Sequence, residues 1–74
     1  MTDLPTLRPQ DVSPLSPYVL AASSQYVIGA ERPDGFLIYS QHRTERAAND
    51  RRYREWRYSQ NIHVRRVERG DENV

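Results

Sequence analysis

Cysteine is absent from this chain, and so is lysine. Without thiols there can be no disulfide and no thiolate metal site, so packing alone must hold the fold together. His42 and His63 are the only histidines, they lie 21 residues apart in the chain, and no thiolate can complete a tetrahedral shell around them. Glycine is scarce: Gly29, Gly35 and Gly70 stand alone, which excludes a glycine-rich phosphate loop. Long apolar runs are also missing. None approaches the roughly 18 residues that span a bilayer. The opening Met1-Thr2-Asp3-Leu4-Pro5 lacks the basic and apolar regions of a secretory signal. A cytoplasmic protein without membrane contact is expected, with no metal and no cofactor.

A catalytic constellation is missing as well. The serines cluster in polar breaks, with neither histidine in a recognisable pattern beside them, so no hydroxyl nucleophile is paired with a base. The carboxylates fall where turns, helix starts and salt bridges place them, and a chain of this size has little room for a water-excluding cleft. No enzyme activity and no catalytic residue is expected.

What is present is arginine, distributed unevenly. The 74 residues carry a formal charge of +1. Residues 1–42 hold two arginines against four carboxylates, residues 43–69 hold nine against four, and the tip adds Asp71 and Glu72. Codon usage in a GC-rich genome can account for arginine replacing lysine, but not for this clustering. Guanidinium groups suit bidentate pairing with carboxylate or phosphate and stacking on rings.

Seventy-four residues allow one domain at most, with only about 60% of the unfolded surface buried. Residues 1–17 read as a flexible, proline-rich leader. Pro5, Pro9, Pro14 and Pro17 each restrict the preceding residue and remove a ladder donor, which excludes a helix or central strand. Such a leader is either inert or an arm that orders on a partner, with Leu4, Leu7 and Val12 as anchors.

Residues 18–69 form the predicted domain. Tyr18 to Ala22 and Tyr26 to Ala30 are aromatic and β-branched, as strands prefer. Arg32-Pro33-Asp34-Gly35 supplies turn chemistry, and Phe36 to Ser40 resumes the strand pattern, so a β-hairpin is predicted there. Residues 44–60 read as a helix, with Thr44 as N-cap and Glu45 in the first turn. Its expected inner face is Ala48, Asn49, Arg52, Tyr53, Trp56 and Ser59, with Arg43, Arg46, Asp50, Arg54 and Arg57 opposite. Arg51 can pair with Glu55, and Asp50 with Arg54, across single turns. Ile62 to Val67 reads as a last strand, with a bulge where Val67 breaks parity. Residues 70–74 read as a frayed acidic tail.

The expected fold class is α+β: a small antiparallel sheet, ββαβ or βββαβ, with one helix packed on one face. The expected core is Tyr18, Leu20, Ile28, Phe36, Ile38, Ala48, Tyr53, Trp56, Ile62 and Val64. Val27, Leu37 and Tyr39 are left as candidates for a second, partly apolar face.

The candidate site is the arginine segment, Arg43, Arg46, Arg51, Arg52, Arg54 and Arg57, with Tyr53, Trp56 and Tyr58 interleaved. Of these, Arg43, Arg46, Arg51, Arg54, Arg57 and Tyr58 are the expected partner-binding residues, while Tyr53 and Trp56 are expected in the core. Three readings stay open. The arginines are a solvated helix face, a protein interface of the kind rich in arginine, tyrosine and tryptophan, or a nucleic-acid surface that neutralises phosphates and stacks bases. A monomer is expected in the free state.

In size, composition and general run, including Pro33-Asp34-Gly35 and the stretch Thr44 to Asn61, the chain resembles the small regulators encoded by lytic bacteriophages of GC-rich hosts. It is similar in particular to a short transcription regulator type of a lytic Xanthomonas phage that binds host RNA polymerase. The resemblance implies a host RNA polymerase partner, through its large β′ subunit, with inhibition of promoter-dependent initiation and suppression of termination. It carries no family motif and therefore no contact residues. Phage anti-CRISPR inhibitors have the same general look and form the competing identity.

Overall fold

The hairpin predicted around Pro33 and Asp34 is the centre of the molecule. In the computed structural model, which describes residues 4–58 and 60–69, strand β2 (Tyr26–Arg32) turns directly into β3 (Gly35–His42), with Arg32 opposite Gly35. Proline presets the first turn position, and Gly35 adopts φ of 135°, a region that favours a residue without a Cβ. A Cβ there would also lie 2.7 Å from the Asp11 carbonyl oxygen.

Among the described residues the fold has four strands, one α-helix and a short 3-10 helix at Pro9–Asp11. Strand β1 (Thr6–Leu7) precedes the hairpin, and helix α1 (Glu45–Glu55) and strand β4 (His63–Val67) follow it. The sheet order is β1-β4-β2-β3, antiparallel from β4 through β3. The α+β class holds, with a correction to the sheet: it is mixed, because β1 joins β4 in parallel. The Arg66 amide donates to the Pro5 carbonyl at 3.1 Å and the Glu68 amide to the Leu7 carbonyl at 2.9 Å. A proline-flanked two-residue strand at a sheet edge is what proline chemistry permits.

The strand expected over Tyr18 to Ala22 does not form. Its backbone is held by a side chain: the Ala21 amide donates to Gln41 Oε1 at 2.8 Å, and Gln41 Nε2 donates to the Val19 carbonyl at 2.9 Å. A turn closed by the Ser24 amide on the Ala21 carbonyl follows at once. Tyr18 is therefore exposed rather than in the core, while Leu20 is half-buried.

The sheet is covered on both faces, which explains the broken parity of the last strand. On one face Val27, Phe36, Ile38 and Val67 pack with Leu7, and Val12 and Leu20 lie against them. On the other, Ile28, Ile62 and Val64 meet Ala48 of α1, flanked by Leu4, Tyr26 and Tyr39. Val64 and Val67 point to opposite faces, and both are buried. The irregularity expected near Val67 lies instead between Ile28 and Gly29. Of the segment 1–17, residues 4–17 lie along the sheet, with the Ser13 amide donating to the Phe36 carbonyl at 2.9 Å. Residues 1–3, Ser59 and the tail expected over 70–74 lie outside the described residues.

Candidate functional site

Thr44 caps α1 as its sequence predicts, accepting from the Ala47 amide at 3.1 Å. The helix is shorter than expected, with Trp56 as its C-cap residue. Its inner face differs from the predicted one. Ala48 is fully buried, and Arg51, Arg52 and Glu55 are half-buried beside it. Tyr53 is 80% exposed and Trp56 44% exposed, so neither ring belongs to the core. The physical reason is space. The sheet face under α1 is already filled by aliphatic and tyrosine side chains, and the helix approaches through alanine and the apolar stems of arginine.

This register decides where each candidate arginine goes. Arg51 donates from Nε to Glu55 Oε1 at 2.9 Å and is neutralised within the helix. Arg52 turns inward and donates from Nε to the Ile62 carbonyl at 2.9 Å. Arg43, Arg46, Arg54 and Arg57 are exposed, and among the described residues none of these four is in an ion pair. At about 100° per residue Arg46, Asp50, Tyr53 and Arg54 share one face, and Arg57 follows in the turn after Trp56. Tyr58 is 85% exposed. Arg52, Tyr53, Trp56 and Arg57 line an open depression of about 550 Å³.

The proposed arm anchors are placed differently. Leu7 is buried in the molecule's own core, Val12 packs against it, and Leu4 lies against the cluster under α1. Leu7 is fully covered, and Leu4 and Val12 are half-buried against the molecule's own clusters, apart from the exposed arginines.

The field near α1 is positive. His42 has its pKa lowered, by burial first and then by the charges of Arg51 and Arg54. Its Nε2 lies 2.7 Å from the Ser40 hydroxyl. His63 Nε2 lies 3.3 Å from Asn61 Oδ1. Among the described residues, no three histidine or carboxylate side chains gather as a metal group, and no helix is long and apolar enough to cross a membrane.

The residues that sequence reasoning missed are Tyr53 and Trp56 as surface groups. The available signal was the pairing of Arg51 with Glu55 around Ala48, which marks a stripe distinct from the ring-bearing one. Comparison of the chain with protein-family models, curated proteins and solved structures finds no match.

Proposed function

We propose that this chain is a phage-type protein that binds host RNA polymerase through protein–protein contacts with the large β′ subunit. Acting stoichiometrically rather than as an enzyme, it inhibits promoter-dependent initiation and suppresses termination. The polymerase partner comes from the resemblance in size, composition and chain layout. The observation that supports a docking role is the exposure of Tyr53 and Trp56 next to arginines that have no ion-pair partner among the described residues. Rings of this size bury most of their surface when a fold can use them, and tryptophan, tyrosine and arginine dominate interface hot spots.

The test is capture of host polymerase on the immobilised full chain, followed by promoter run-off and terminator read-through assays. Retained polymerase, reduced run-off and increased read-through are expected. Failure to retain polymerase rejects the reading, and retention of a CRISPR effector complex instead would assign the competing inhibitor class.

The exposed arginines without an ion-pair partner among the described residues favour one second reading, a surface that follows phosphates. Titration with a duplex and a single-stranded oligonucleotide at two salt concentrations separates the two, because phosphate binding weakens steeply with salt whatever the sequence.

A further inference from the structure

We infer that the depression at the end of α1 receives one bulky apolar side chain from an acidic segment of the partner protein, while Arg54, Arg57 and Arg46 pair with carboxylates flanking that side chain. The inference rests on the protein-docking reading above and deepens it by naming the chemistry of the epitope.

Three observations carry it. The depression is walled by the rings of Tyr53 and Trp56 and by the stems of Arg52 and Arg57, so its interior is apolar and its rim cationic. Arg52 is held by the Ile62 carbonyl, which fixes one wall before any partner arrives. From Arg46 to Arg54 the helix rises about 12 Å, which matches about four residues of extended chain. The depression lies at the Arg54 end of this run, with Arg57 in its own lining, so a short segment whose apolar residue sits at that end, with acidic residues on either side, fits the stripe.

Charge favours a protein over a nucleic acid. The isoelectric point is about 8.2 and the net charge +1, below the basicity usual for a phosphate-tracking domain. Asp50 sits within the arginine stripe, where it repels any anion, phosphate or carboxylate, unless a donor faces it. A polypeptide epitope can offer a donor to Asp50, which a phosphate cannot.

The test uses the full chain and a fluorescein-labelled acidic peptide of about twelve residues with one central phenylalanine. The same peptide with alanine at the centre and a thymidine oligonucleotide of similar charge serve as comparison probes. The phenylalanine peptide is expected to bind about tenfold or more tightly than the alanine one. Trp56→Ala is expected to weaken it about 30-fold, the size of an interface hot spot. Arg54→Glu should weaken it too, whereas Arg32→Glu, the same charge change at the hairpin tip, should not. Tyr53→Ala, at a more exposed ring, repeats the measurement should Trp56→Ala fail to fold.

Equal binding of the two peptides, no binding of either at low salt, or tighter binding of the oligonucleotide each overturns the inference. The same variants are measured for polymerase capture. Capture that ignores Trp56→Ala and Arg54→Glu keeps the polymerase reading and rejects the epitope. Peptide binding through the depression without polymerase capture keeps the epitope and rejects that partner.

Discussion

The Nε of Arg52 donates to the main-chain carbonyl of Ile62 at 2.9 Å, tying the middle of α1 to the entry of β4. This contact makes Arg52 an inward residue, and one step of about 100° then carries Tyr53 outward. Two other arginines hold main-chain oxygens in the same way. Arg65 donates to the Val64 carbonyl at 3.1 Å, and Arg69 forks onto the carbonyls of Ser24 and Ala21 at 2.9 and 2.7 Å. A planar guanidinium with five donors can serve two oxygens at once, which a lysine ammonium does with less geometric control. The arginines therefore include main-chain clamps, Arg52, Arg65 and Arg69, and ion-paired residues, Arg8 and Arg51, with Arg65 also paired to Glu31. Arg43, Arg46, Arg54 and Arg57 form an exposed set without an ion-pair partner among the described residues.

That division makes the rings of α1 dispensable for folding. Trp56→Ala and Tyr53→Ala should each lower stability by less than about 1.5 kcal/mol, because both rings keep much of their water contact. Ile28→Ala, which opens a cavity between sheet and helix, should cost about 2–5 kcal/mol. Urea denaturation of the three variants checks the order. A Trp56→Ala loss equal to that of Ile28→Ala would refute the observed register.

The hairpin and the capped helix start were legible because their signals are local. Pro33, Asp34 and Gly35 encode a turn wherever they stand, and Thr44 caps whatever follows it. Six residues assigned to the core from pattern alone, Ile28, Phe36, Ile38, Ala48, Ile62 and Val64, are buried. The helix register was not legible, since α1 contains no aliphatic residue larger than alanine, and the only bulky side chains available to a periodicity argument were the rings. The place of residues 4–17 was also hidden. Proline excludes a central strand but does not reveal that Thr6 and Leu7 find an edge created by β4, some sixty residues along the chain.

Gly29 leaves no room for a side chain. A Cβ there would fall 1.9 Å from the Leu37 carbonyl oxygen and 2.9 Å from the Phe36 ring, beside the register shift of β2. Both obstacles belong to the paired strand and the core, so neither can yield without moving β3. Gly29→Ala should destabilise by at least about 1–3 kcal/mol, read as a lower urea midpoint with an unchanged slope. A midpoint like that of the parent chain would contradict the close approach of the strands.

Acid should weaken the fold in two separable steps. His42 is held below its ordinary value of 6.5 by burial and by Arg51 and Arg54, so the folded state resists the proton that the unfolded chain accepts. Stability is unaffected above that value and falls as pH drops from about 6.5 towards the folded pKa. Glu31 is held below its ordinary value of 4.5 by the hydrogen bond and charge of Arg65. Its contribution is present above 4.5 and is lost as pH falls through the folded pKa. His42→Gln should remove the first step and Glu31→Gln the second, measured as melting temperature against pH. Identical profiles for parent and His42→Gln would exclude the first assignment.

Sorting the arginines by role predicts opposite responses to their removal. Arg69→Ala leaves two carbonyls of the Ala21 to Ser24 turn without their charged donor, and hydrogen bonds to charged groups contribute about 1.5–3 kcal/mol. Arg69→Lys should recover only part of that loss, since one ammonium replaces a fork. Arg46→Ala and Arg54→Ala remove groups without an ion-pair partner among the described residues, so each should change stability by no more than about 0.5 kcal/mol. Salt provides the second readout. Raising it screens repulsion among exposed arginines over roughly 10 Å, so the small effects of Arg46→Ala and Arg54→Ala should shrink further while that of Arg69→Ala persists. If Arg46→Ala proved as costly as Arg69→Ala, the exposed set would have to be making contacts of its own within the fold, and its availability for a partner would be lost.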